Sequence, residues 1–400
     1  MSTTKTFIPF ALPDIGEAEV SAVAETMRSG WLTTGPRTAA FEEAFSQSLG
    51  QPGLQSLAVS SATAGLHLAL EALGVGPGDE VLVPTWTFTA TAEVVRYLGA
   101  QPVLVDVDPV TLNLDLDAAE QAVTARTKAV MPVHFAGLGV DRVRLSAFAG
   151  RHGLAVVEDA AHAFPCVSGG LPVGTGTSDV VVFSFYATKP MTTGEGGMVV
   201  TRDAALAARM RTMRLHGISR DVFNRYRSTS PAWHYEVVAP GYKYNLPDTA
   251  AAMGLVQLGR AQEMRDRRAA IAARYDAGLA DLPLRRPAHA PAGDSHAWHL
   301  YVVHLTGGAL SRDDFITGMA EGGVGCSVHF IPLHMQPYWR EQARLRDAMF
   351  PHATAAFDQV VSLPIYSRMS EEEVDQVVST ARRLLAPVRA GAALTAVPGS

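Results

Sequence analysis

Seven short apolar runs divide the first half of the chain: LAVS, EVLVP, PVLVDV, KAVMPVHF, LAVVEDA, DVVVFSF and GMVVT, all between Leu57 and Thr201. They are continuous rather than strictly alternating, as strands buried on both faces require. Between them lie stretches with helical or turn patterning. In ATAGLHLALEALGV, Leu66, Leu70 and Leu73 recur at helical spacing, and GPGDE supplies turn chemistry before the next run. Strand, helix, turn and strand in that order predict an α/β fold with a mainly parallel sheet flanked by helices.

The pattern changes near Asp248. DTAAAMGLVQLGRAQEMRDRRAAIAARYDAGLADL predicts a long helical stretch. An apolar run in WHLYVVHL, an amphipathic SRDDFITGMAEGG, a strand-like VGCSVHF and a last helix in SEEEVDQVVSTARRLL follow, which suits a smaller α+β unit. The expected division is a large domain over 1–250, a small C-terminal domain over 251–388 and a mobile tail over 389–400, where the chain ending APVRAGAALTAVPGS has no clear period.

Composition narrows the function. The 400 residues are 48% hydrophobic and 18% charged, with a net charge of -6 and no basic stripe, so no nucleic acid is expected as a partner. MSTTKTFIPFALPDIGEAEV lacks the apolar core of a signal peptide, and no run has the length of a membrane span. No membrane partner and a cytoplasmic location are therefore the expectation. Cys166 and Cys326 lie far apart, which supports neither a disulfide framework nor a cysteine metal site.

Lys189 lies in SFYATKPMTTGEGG, between the apolar DVVVF and GMVV runs. A lysine led toward an interior becomes a candidate nucleophilic amine, where an ordinary loop lysine stays solvated. Asp159 ends the LAVVED run, 30 positions earlier, and so falls at the edge of an open α/β sheet where ligands bind. Capping of the following AAHAF is the plain alternative for this carboxylate. An acid and an amine at two strand ends are what pyridoxal phosphate needs: the lysine forms a Schiff base, and the aspartate keeps the pyridine nitrogen protonated. Ser60, Ser61 and Thr63 precede or open a helix whose free N–H groups favour a phosphate, unless they only cap it. Ser184 is placed to add a hydroxyl. Trp86, in the turn after EVLVP, is a candidate to stack on the pyridine ring, or else a buried structural residue.

Together SSATAGLHLAL, PTWTFTATAEVV, PVHFAG, VEDAAHA, SFYATKPMTTGEGG, GYKYNLPD and HFIPLH resemble the ordered motifs of the DegT/StrS sugar-nucleotide aminotransferases, from about Phe7 to Leu385. The resemblance implies a fold type I pyridoxal phosphate enzyme with a seven-stranded sheet. It implies Lys189 as the catalytic Schiff-base and proton-shuttling lysine, and Asp159 as the pyridine partner. Ala62, Thr63 and Ser184 are implied for the phosphate, Trp86 for stacking, and His162 for the cofactor O3', where many members carry glutamine. Asn245 matches an asparagine that reaches the cofactor phosphate of the neighbouring subunit, implying a homodimer with shared sites. Thr33 and Thr34 resemble a loop that closes over substrate, and His329 a histidine near the nucleotide diphosphate. Members that dehydrate carry histidine in place of the lysine, so Lys189 favours amino transfer.

Within the family AVSSATAG, PVHFAG, VEDAAHA, GYKYNL and HAWHLYVV look most like the enzyme that aminates a UDP-4-keto-pentose. The implied reaction moves an amino group from L-glutamate to C4 of a TDP- or UDP-linked 4-keto sugar, with the pentose favoured. The same reaction on a 4-keto-6-deoxy-hexose or a 3-keto sugar is the near alternative. A pyridoxal phosphate lyase or dehydratase, and a regulator that only binds the cofactor, are the rivals of other classes.

Overall fold

The computed structural model describes residues 7–218, 235–307 and 310–385; the expected tail at 389–400 lies outside them. All seven apolar runs supply strands to one sheet: β1 (Gln55–Val59), β2 (Glu80–Pro84), β3 (Gln101–Val105), β4 (Thr127–Val130), β5 (Ala155–Asp159), β6 (Val180–Ser184) and β7 (Gly197–Thr201). Their order is β1-β7-β6-β5-β4-β2-β3. Neighbours from β6 to β3 pair in parallel, while β7 runs antiparallel to both β6 and β1.

Burial on both faces explains the unbroken apolar runs. Val180 and Val182 point into one core with Leu66, Leu68 and Leu70 of the helix Ala62–Ala72. Val181 and Phe183 point the other way, against Phe41 and Phe45 of the helix Pro36–Ser48. Burying such a valine or phenylalanine side chain contributes about 1.5–3 kcal/mol relative to exposure. Gly65 lets the helix Ala62–Ala72 sit close on the sheet, since a Cβ there would stand 2.7 Å from Val182 Cγ1 and 2.9 Å from Val199 Cγ2. That close seat brings the helix N-terminus to the same edge as the C-terminal ends of β5 and β6.

The predicted long helix spans Asp248–Gly278, so the boundary expected at 250/251 falls in its first turn. Beyond it, β8 (Leu284–Arg285), β9 (Tyr301–Leu305) and β10 (Val360–Leu363) form an antiparallel sheet. Its core includes Phe315 and Met319 of the helix Arg312–Glu321 and Val374 and Val377 of Glu371–Leu385. VGCSVHF departs from its strand-like reading. It makes single bridges, Val324 to Ile8 and Ser327 to Ser362, and no ladder, because its pairing partners belong to different segments. The chain then leaves the sheet and carries His329 and Phe330 to the large sheet's edge. Among the described residues, no helix is long and apolar enough to cross a membrane.

Candidate active site

One cavity of about 550 Å³ opens where β5 and β6 end against the helix Ala62–Ala72. Asp159, His162, Ser184 and Lys189 line it, together with Ala62, Thr63 and His329. With Ser61, eight candidate residues of the sequence reading line this place; Ser60, Trp86, Thr33, Thr34 and Asn245 do not.

Asp159 is buried at the last position of β5. No helix follows, so the capping alternative does not hold; its Oδ1 instead accepts the Ala161 N–H at 3.1 Å. Oδ2 accepts from the Thr91 hydroxyl at 2.9 Å, and Thr87 Oγ1 stands 2.7 Å from Thr91 Oγ1. Burial pushes the carboxyl above its ordinary range, although these hydrogen bonds and Lys189 pull the other way. A buried carboxylate in this condition favours a cation beside it. Its neighbour Glu158 faces away from the cavity and is held by His134 Nε2 at 2.7 Å and by Ser178.

Lys189 lies in a turn after β6, its N–H donating to Tyr186 O at 2.9 Å. Burial of the amine lowers its pKa to about 8, against the opposing pull of Asp159. That lowering raises the uncharged fraction that a nucleophilic amine needs well above that of an ordinary lysine. His162 is also set for a task. Its Nδ1 accepts the Ala136 N–H at 3.2 Å, so the ring, which burial keeps neutral, carries its proton on Nε2. A donor in the cavity follows.

The helix N-terminus is a place that could take an anion. Ser61 caps it, accepting the Ala64 N–H at 3.1 Å, which leaves the Ala62 and Thr63 amides in the first turn at the cavity. Ser184 Oγ accepts the Tyr186 N–H at 3.3 Å and keeps its own proton free to donate. Gly197 makes room here, since a Cβ would lie 2.8 Å from Ala62 N. An amine, a buried carboxylate, a histidine donor and a phosphate-binding helix end fit pyridoxal phosphate.

Three sequence expectations place differently. Trp86 is fully buried away from the cavity, its indole N–H donating to His329 O at 3.2 Å. Phe88, two residues on and 58% exposed, lines the cavity instead. Thr33, Thr34 and Asn245 do not line this chain's own cavity. Asn245 donates to Thr34 Oγ1 at 2.7 Å and accepts from Lys243 Nζ at 2.7 Å, forming a separate polar group. The sequence reading missed His299, whose Nε2 stands 3.5 Å from Lys189 Nζ, and Phe10, which stacks on His329 with centroids 5.1 Å apart.

Comparison with known proteins agrees with this geometry. Residues 13–382 match the DegT/DnrJ/EryC1/StrS aminotransferase family. The spore coat polysaccharide biosynthesis protein SpsC of Bacillus subtilis is 44% identical over 382 residues, 95% of this chain and 97% of that protein. The PLP form of Spr1654 from Streptococcus pneumoniae superposes with a TM-score of 0.86 at 34% identity, covering 95% of this chain and 100% of that one. Helicobacter pylori PseC, an aminotransferase involved in the biosynthesis of pseudoaminic acid, gives a TM-score of 0.85 at 27% identity over 95% of this chain and 99% of its own. The chain belongs to the DegT/DnrJ/EryC1/StrS aminotransferase family and is an aminotransferase that uses pyridoxal phosphate.

Proposed function

We propose that the enzyme transfers an amino group from L-glutamate to C4 of a nucleotide-linked 4-keto sugar, TDP or UDP, with a 4-keto-pentose as the favoured acceptor. The observation that carries this reading is the single cavity joining Lys189, Asp159, His162 and the phosphate-binding helix end to His329 and Phe330. A sugar acceptor is supported by the relatives, among them a polysaccharide biosynthesis protein and a Streptococcus pneumoniae protein named as a sugar aminotransferase. Lysine at 189 favours transfer over dehydration.

Bound in the cavity, pyridoxal phosphate supplies an electron sink for the carbon that loses a proton. Lys189 Nζ would hold the cofactor and, as a free amine, would take a proton from one carbon and return it to another. Asp159 keeps a positive charge beside its carboxylate. His162 Nε2 would donate toward the phenolic oxygen, and the Ala62 and Thr63 amides with Ser184 would hold the phosphate. Phe88 takes the stacking role first given to Trp86.

The reading includes a homodimer in which Asn245 completes the neighbour's site, with Thr34 of the substrate loop hydrogen-bonded to Asn245 at 2.7 Å. It is supported by their absence from this chain's own cavity and by the exposure of Phe88 and Tyr186 at its mouth. The division at 250/251 belongs to the same proposal, supported by the separate core around β9 and β10. Cofactor titration checks the assignments: Phe88→Ala and Asn245→Ala are each expected to weaken affinity about tenfold, the size of one stacking or hydrogen-bonding contact. Unchanged affinity in both counts against this part.

The pentose preference is supported by the motif resemblance, and Phe10, His329 and Phe330 share the cavity wall, with Phe10 stacked on His329. A 6-deoxy-hexose adds one methyl, worth roughly 10 to 200-fold in kcat/KM where the pocket is filled. The test compares kcat/KM for the 4-keto-pentose and the 4-keto-6-deoxy-hexose on one nucleotide. Equal values or a hexose preference remove the pentose claim and leave the broader amino transfer.

A further inference from the structure

His299 is held in place by an unusual amount of structure for a residue at the start of a strand. Trp298, just before it, sits at a φ of 50°, a left-handed region that strains a bulky side chain and persists only where the surroundings enforce it. Five hydrogen bonds and one ring stack fix this bend. Trp298 N–H donates to His296 Nδ1 at 2.8 Å, and the two rings stack with centroids 4.0 Å apart. Arg268, buried in the long helix, reaches Trp298 O at 3.3 Å and Ile365 O at 2.7 Å. Ala297 N–H donates to Gly137 O at 2.9 Å, and Leu300 N–H to Ala136 O at 3.2 Å.

The same turn governs both histidines of the cavity. Ala136, itself at a φ of 58°, gives its N–H to His162 and its carbonyl to the segment that presents His299. The His162 and His299 rings lie 4.3 Å apart, and His299 Nε2 faces Lys189 Nζ at 3.5 Å. His299 Nδ1 is buried without a hydrogen-bond partner among the described residues. A ring that leaves one nitrogen unpaired gives up a hydrogen bond, so its seat serves something other than its own hydrogen bonding.

Resting on the assignment of Lys189 as the cofactor-binding amine, we infer that His299 is a positioning residue for that amine. Whenever Lys189 is free of the cofactor, His299 Nε2 accepts a hydrogen bond from Nζ and holds it over the cavity, so the amine is aimed for both proton transfer and recapture of the cofactor. The strained bend at Trp298 fixes the acceptor's position. Burial keeps His299 neutral, and the nearby Lys189 and His162 act the same way, which preserves an acceptor lone pair.

The sign of the effect follows. A neutral acceptor stabilises the ammonium form, so its loss lowers the amine's pKa. The other groups around Lys189 are Asp159, His162, His329, Glu195 and Tyr186 in the cavity wall, with Arg268 behind His299, and they are common to every variant.

The experiment uses cofactor-free full-length protein and follows, by absorbance, the rate at which added pyridoxal phosphate attaches covalently, as a function of pH. His299→Gln places an amide acceptor where Nε2 lies; His299→Asn places it at the Nδ1 position. Wild type is expected to show a rate that rises through a midpoint near 8. The glutamine variant is expected to keep that profile. The asparagine variant is expected to shift the midpoint down by about one unit, the size of one charged hydrogen bond, and to lose about tenfold in the plateau rate. Identical profiles for the two variants overturn the role of His299. No attachment in wild type overturns the Lys189 assignment instead, so the two failures are distinct.

Discussion

Lys189→Ala is expected to lower turnover by roughly 10⁴-fold or more, because it removes both the covalent anchor and the group that moves the proton. The cofactor is still expected to bind, since its other holds lie elsewhere: the helix end at Ala62 and Thr63, Ser184, His162 and Asp159. Folding is expected to survive as well. The lysine lies in a turn outside the strands, and burial disfavours its charge, so the core loses nothing by its removal. The check combines turnover in saturating cofactor and glutamate with equilibrium dialysis of the cofactor. Near-normal turnover would overturn the assignment of the site.

Asp159→Asn is expected to separate function from stability. The amide oxygen keeps the bond from the Ala161 N–H, and the NH2 group faces the Thr91 hydroxyl as a donor in place of the carboxylate oxygen that accepted from it, but the side chain offers no negative charge to the ring nitrogen. Removing one member of a buried charge pair costs about 3–5 kcal/mol, or roughly 10² to 5 × 10³-fold in rate. The cofactor-free protein is expected to respond in the opposite direction. Burial raises the carboxyl's folded-state pKa above its unfolded value, so the fold favours the protonated acid. Stability is then fullest below the unfolded pKa and falls as pH rises through the folded one. At neutral pH the ionised aspartate is a burden that asparagine removes. Thermal unfolding of the cofactor-free proteins at neutral pH is expected to give a higher Tm for the variant. Equal activity, or a lower Tm, would contradict this account of Asp159.

The sheet was legible because burial on both faces writes itself as unbroken apolar runs, and all seven runs hold strands. The carboxylate was legible too: alternation along β5 sends Glu158 and Asp159 to opposite faces, and the strand's last residue falls at the ligand edge. Legibility ended where periodicity did. In TWTF after β2, no repeat says which aromatic turns inward, and the larger ring, Trp86, was absorbed by the core while Phe88 went to the cavity. VGCSVHF has a strand's composition but lacks a common neighbour for its bridges. His299 opens an apolar run in which a histidine reads as a packed core residue. Its position depends on a left-handed bend at Trp298 and on Arg268, more than 30 residues upstream, and neither leaves a local mark. The pairing of Thr34 with Asn245 spans 211 positions and is likewise a product of the fold.

The central claim is that Lys189 carries the cofactor and releases it to the amino donor. The chain has four lysines, Lys5, Lys128, Lys189 and Lys243, so borohydride reduction of the cofactor-loaded enzyme followed by peptide mass mapping gives a direct answer. The account predicts the phosphopyridoxyl group on the Lys189 peptide, and its disappearance when L-glutamate is added before reduction. A label on Lys5, Lys128 or Lys243 in place of Lys189, or a Lys189 label that glutamate leaves intact, would contradict it.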